Sequence, residues 1–84
     1  MIRIRYFALI RERLNRGEEA VSPPTEVADV TGLLDWLGAR DEAALHAFAD
    51  RKSVRVAVDE MLVDHDASIV GARTVAIFPP MTGG

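Results

Sequence analysis

Polar and apolar residues alternate strictly near both ends of the chain, the pattern of strands with one packed face and one solvated face. Ile2, Ile4 and Tyr6 fall on one side of the first segment, and Arg3, Arg5 and Phe7 on the other. The last segment, Thr74 to Phe78, turns Val75 and Ile77 inward and Ala76 and Phe78 outward. A third alternation, Val54-Arg55-Val56-Ala57-Val58, is followed by Asp59-Glu60 as a tight turn and Met61-Leu62-Val63 as a short returning strand.

Helical periods lie between these strands. Ala8 to Asn15 are good helix formers that stop near Asn15 and Gly17, with Leu9, Ile10 and Leu14 as the buried side. Glu18 to Ser22 reads as a weak edge strand closed by Pro23-Pro24. Asp29 is placed as an N-cap, and Val30, Leu33, Leu34 and Leu37 follow at i, i+3, i+4 and i+7. This is the main amphipathic helix, with Trp36 on its flank and Gly38 at its end. Gly32 sits inside it at a cost of up to about 1 kcal/mol relative to Ala, and nothing in the sequence accounts for it. Asp41 caps a further helix through about Asp50 that buries Ala44, Leu45 and Phe48. Asp64 to Gly71 are turn-rich, with Ile69 or Val70 tucked under the body.

Strand, short helix, strand, helices, two strands and a last strand make an α+β layout, a mixed sheet with helices on one face. If the first and last strands are neighbours, Phe7 and Phe78 stand side by side on the open face. Two exposed aromatics together read as an interface hot spot.

Composition narrows the functions available. The chain has 84 residues, enough for one small domain with little room for an enclosed active site. It has no cysteine, which removes disulfides, thiolate metal sites and an internal thiol nucleophile. A net charge of −3 argues against nucleic acid or an anionic membrane surface as partner. No apolar run approaches the length of a membrane span, and charge interleaves from Arg3 onward with no signal-peptide region, so a cytoplasmic protein is expected. Asp64-His65-Asp66 has no further His or Cys to complete a metal site and reads as a polar turn, and no metal is expected. His46 lies within a predicted helix as an ordinary surface or core residue.

The most specific chemistry lies in Ile77-Phe78-Pro79-Pro80-Met81-Thr82-Gly83-Gly84. Pro79 and Pro80 have no N–H and end the sheet ladder. Met81 to Gly84 can span roughly 13–14 Å at full extension. Gly83 and Gly84 carry no Cβ and accept almost any φ/ψ, so the tip is as narrow as a polypeptide can be. Such a tip suits insertion into another protein's active site with its carboxylate as the reacting group. Residues 1–80 are therefore read as the domain and 81–84 as a diglycine tail.

Arg5-Tyr6-Phe7-Ala8 with Arg11-Glu12, Val56-Ala57-Val58-Asp59, and Val75 through Gly84 with its F-P-P-x-T-G-G ending resemble the small, sulfur-carrying subunits of molybdopterin synthase. The resemblance covers essentially the whole chain and implies a β-grasp, ubiquitin-like fold with adjacent, parallel first and last strands. It implies that an adenylating, E1-like partner activates the Gly84 carboxylate with ATP, and that sulfur displaces AMP to leave a thiocarboxylate. Met81, Thr82, Gly83 and Gly84 would then enter the large synthase subunit and deliver sulfur to a pyranopterin precursor, with Phe7, Phe78, Pro79 and Pro80 at the partner interface. The small subunit would bind no cofactor, would not be an enzyme alone, and would form a heterotetramer of two small and two large subunits. Alternatives are a carrier for thiamin thiazole or another acceptor, a ubiquitin-like protein modifier, and an interaction module with an inert tail. Two departures from the family pattern stand out. Gly71-Ala72-Arg73-Thr74 replaces the usual acidic turn, and Asp59 replaces the usual Asn.

Overall fold

A computed structural model describes residues 1–80. Met81, Thr82, Gly83 and Gly84, which carry the expected reacting carboxylate, lie outside the described residues. The three alternating segments become β1 (Ile2–Tyr6), β3 (Arg55–Val58) and β5 (Thr74–Phe78), joined by β2 (Glu18–Val21) and β4 (Met61–Val63). They form one sheet in the order β2-β1-β5-β3-β4. β1 and β5 are parallel, with Ile4 opposite Val75 and Tyr6 opposite Ile77. The other neighbours are antiparallel.

One face of the sheet is packed. Ile4, Val56, Val75 and Ile77 lose all exposure there, beneath α1 (Ala8–Leu14), α2 (Val30–Arg40) and α3 (Glu42–Ala47). The i, i+3, i+4, i+7 stripe of α2 puts Val30, Leu33, Leu34 and Leu37 in the core. Its start is fixed by Asp29, whose carboxylate accepts the Gly32 N–H at 2.7 Å. A Cβ on residue 32 would lie 3.1 Å from that carboxylate oxygen, which accounts for the glycine. Gly38 serves the other end, because a Cβ there would come within 3.2 Å of the Leu45 backbone on α3. The helix runs on past Gly38 to Arg40 rather than ending at it.

Three burial and boundary expectations change. α3 stops at Ala47, short of Asp50, because Asp50 starts a separate 3₁₀ turn by accepting the Lys52 N–H and the Ser53 hydroxyl. Leu45 is 54% exposed, since the Gly38 contact brings the α3 backbone so close to α2 that its side chain is left at the margin. Leu9 is 50% exposed because a seven-residue helix points only Ile10 and Leu14, one turn apart, into the core. Of the two candidates in the turn-rich segment, Ile69 is the buried one.

A polar cluster ties the β1–β2 edge to the α2–α3 junction. The buried Tyr6 hydroxyl donates to Glu19 at 2.6 Å, and Arg16 pairs with both Glu19 and Asp41. Burial, then the Glu19 carboxylate, pushes the phenol well above its usual range, so it stays a donor. The β3–β4 turn is set by Asp59 and Glu60, both at positive φ, as a two-residue hairpin turn requires. Asp59 also accepts the N–H groups of Thr74 and Arg73 at 3.0 and 2.9 Å, which holds its carboxyl below the ordinary 3.8. A depressed carboxyl stabilises the fold above its unfolded pKa, and that contribution is lost as pH falls through the folded value. Asp59→Asn keeps the acceptor and removes the titration. Urea unfolding below about pH 4 is therefore expected to show a shallower loss of stability for the variant than for the parent; identical slopes would show that Asp59 does not contribute.

Candidate functional site at the root of the tail

β5 carries the chain to Pro79 and Pro80, where the ladder ends because neither proline has an N–H. The parallel register places the end of β1 beside this point, and the Phe7 N–H donates to the Ile77 carbonyl at 3.1 Å. One step beyond the Tyr6–Ile77 pair, the register leads to Phe7 and Phe78. Phe7 is 39% exposed and Phe78 is half-buried. The Arg5 guanidinium lies 5.4 Å from the Phe7 ring centroid, a contact that holds the ring on the open side.

The chain leaves β1 abruptly. Phe7 is extended (φ −129, ψ 154), and Ala8 then adopts φ 51 before α1 begins. A left-handed alanine costs roughly 1–2 kcal/mol, and this strain sits beside the tail root. The sharp exit turns α1 so that Leu9 faces a groove of about 340 Å³ with Arg13, His46, Asp50, Pro79 and Pro80. The exposure of Leu9 and the strain at Ala8 were not visible from periodicity, which reports burial along an ideal helix and not its tilt.

Among the described residues the groove holds no nucleophile-and-base pair. His46 is exposed and faces Glu42 at 3.6 Å, while the Ser53 hydroxyl is committed to Asp50. Further away, a His65 ring N–H donates to the Val54 carbonyl at 2.8 Å, so the Asp64-His65-Asp66 segment straps a loop to the start of β3. Among the described residues no group of three His, Cys, Asp or Glu side chains could hold a metal, and no helix is long and apolar enough to cross a membrane. The structure thus brings Phe7, Phe78, Pro79 and Pro80 to one end of the sheet. Arg73 lies at the other end of β5, with its backbone held by Asp59.

The ThiS family model matches residues 4–84. The chain belongs to the ThiS family. It is 32% identical over 84 residues to the molybdopterin synthase sulfur carrier subunit of Escherichia coli K12, with all of both chains covered. A putative molybdopterin converting factor subunit 1 from Pyrococcus furiosus superposes with TM-score 0.70 at 25% identity, covering 95% of this chain and 97% of that one. SAMP1 from Haloferax volcanii superposes with TM-score 0.71 at 21% identity over 99% and 98% of the two chains, a likeness of fold. The β-grasp architecture expected of a ThiS family member, with its central parallel pair, is the one observed.

The strain at Ala8 yields a prediction for this ThiS family chain. Ala→Gly at the start of a helix ordinarily loses about 0.4–1 kcal/mol through the unfolded chain. Ala8→Gly is expected instead to be neutral or to gain up to about 1 kcal/mol in urea unfolding, because relief of the left-handed alanine offsets that loss. A clear destabilisation would show that residue 8 is not strained.

Proposed function

We propose that this protein is the sulfur carrier of molybdopterin synthesis, acting through the carboxylate of Gly84. The observation that carries the reading is similarity across the full length of a sulfur carrier subunit together with a family match that extends through the diglycine to residue 84. The site geometry supports it: a stable body holds two prolines and two phenylalanines where the tail departs, and among the described residues no catalytic set competes with the tail.

In this reading a carboxylate is a poor electrophile, so an adenylating partner joins it to the α-phosphate of ATP and releases pyrophosphate. A donor supplying sulfur at the level of sulfide attacks the acyl carbon; the C–S bond forms, the C–O bond to AMP breaks, and a thiocarboxylate remains. Met81, Thr82, Gly83 and Gly84 then seat in the large subunit of molybdopterin synthase, where the thiocarboxylate sulfur attacks a carbon of the pyranopterin precursor and displaces an oxygen leaving group to form a thioester; water then cleaves the acyl C–S bond, leaving the sulfur on the precursor and the carboxylate on Gly84. Acid, base and oxyanion groups belong to the partners, and ATP is used by the activating enzyme. Seating four residues costs backbone entropy of about 1–2 kcal/mol each, which contacts made by Phe7, Phe78, Pro79 and Pro80 offset. The assembly is two small and two large subunits in the cytoplasm.

Intact mass spectrometry tests the loading step. Incubation with the adenylating enzyme, ATP and a sulfur donor from the same cells is expected to replace one C-terminal oxygen by sulfur, located by fragmentation to Gly84. Deleting Gly84 is expected to leave the unfolding transition unchanged and to abolish the mass gain. A deletion variant that still gains sulfur would overturn the mechanism.

A further inference from the structure

Lys52 is the only lysine among the ten lysine and arginine residues of the sequence; the other nine are arginines. In a carrier that works through an activated C-terminal carbonyl, that choice has a chemical consequence. A lysine amine attacks an activated acyl group once it has lost its proton, whereas an arginine guanidinium stays protonated and does not. Each lysine is therefore an acceptor for an activated glycine, and this chain keeps one.

That one stands beside the root of the tail. The antiparallel register sets Arg55 opposite Phe78, so the residues before Arg55 run back alongside those that follow Phe78. The 3₁₀ turn Arg51–Ser53 lies there. Asp50 and Ser53 share the groove of Pro79 and Pro80, and Lys52 lines an adjoining hollow with Arg55. Asp50 pins the turn by accepting the Lys52 N–H at 3.2 Å and the Ser53 hydroxyl at 2.9 Å. Met81 to Gly84 span at most roughly 13–14 Å from this root, and Gly83 and Gly84 accept the φ values of a tight turn back. The exposed Lys52 side chain adds a four-carbon stem to that reach. The Met1 amine lies outside it, because β1 begins at the opposite end of the sheet. Arg3 stands opposite Thr74, which is already roughly 20 Å of strand away from Pro80.

We propose that Lys52 is an acyl acceptor for the chain's own activated Gly84, closing the tail into a ring through an isopeptide bond. The inference rests on the sulfur-carrier reading for the activated state and adds a second fate for that state. The deprotonated Lys52 amine attacks the Gly84 acyl carbon; the C–N bond forms, the C–O bond to AMP breaks, and the surplus proton on nitrogen passes to water. Sulfur delivery and ring closure compete for one acyl group, so a shortage of sulfur donor retires the carrier as a ring with no C-terminal carboxylate. Closure within one chain outruns attack by a second copy because the amine and the acyl group are confined to one small volume.

The test uses the full chain prepared with Gly84 as the thioester of a small thiol, which activates the carbonyl without any enzyme. At mildly alkaline pH the chain is expected to lose the thiol and give a product one water lighter than the free acid, with fragmentation placing the link between Lys52 and Gly84. The rate is expected not to change with protein concentration. Lys52→Arg, which keeps the charge, is expected to lose the ring entirely and leave only hydrolysis. Arg73→Lys placed in the Lys52→Arg chain puts an amine at the far end of β5 and is expected to form no ring. Hydrolysis alone in the parent, a link through the Met1 amine, a link only between two copies, or a ring through residue 73 would each overturn the inference. The carrier reading then still stands if the adenylating enzyme, ATP and a sulfur donor load sulfur on Gly84. A Lys52 ring from the thioester with no sulfur loading removes the carrier reading and leaves Lys52 as an acceptor for a glycine activated in another way.

Discussion

The parallel pairing of β1 with β5 is the constraint from which the rest follows. Two parallel neighbours cannot be joined by a hairpin, so the chain between them must cross over one face of the sheet before it returns. It does so through the helices that cover one face, and it adds β3 and β4 on the far side of β5. β5 thereby becomes the middle strand, with Val75 and Ile77 fully enclosed. The last strand before the tail is thus the middle one of the sheet, paired on both sides. A tail rooted on an edge strand would fray with it; this one leaves from the centre.

The same pairing places two chain exits side by side. Because β1 and β5 run in one direction, the end of β1 lies at the end of β5, and the Phe7 N–H completes a ladder bond to Ile77. β1 must then turn sharply away to clear the path of Pro79, and the left-handed Ala8 is where that turn is concentrated. Strain here is tolerated because both flanking elements are fixed, β1 by its two neighbours and α1 by Ile10 and Leu14.

Strand and helix identity were largely legible because alternation and the 3.6 period speak about one face at a time. The inward set of β1, β3, β5 and α2 follows directly from that. What escaped depends on how elements meet. Leu45 and Leu9 have the right residue type for a core, but α2 and α3 approach backbone to backbone at Gly38, and α1 is too short to bury a third position. Gly32 was opaque because its reason is a contact with the cap three residues back. The Tyr6–Glu19–Arg16–Asp41 cluster joins residues far apart in the chain, and no spacing rule could have assembled it. At the site, Phe7, Phe78 and the prolines could be named in advance, whereas the Leu9 groove and the Arg5 stacking required the register and the helix tilt.

The floor of the open face bears on what that face is for. Ala57 and Ala76 are direct cross-strand partners at the centre of the sheet, where β-branched or aromatic pairs contribute about 0.2–1 kcal/mol more than an Ala–Ala pair. Alanine is also a weak strand former. A sheet selected for its own stability would carry valine or threonine at these positions, as the packed face does at Val56 and Val75. The alanines leave the backbone at the centre of the open face accessible to close approach from outside, and the face forgoes packing stability there.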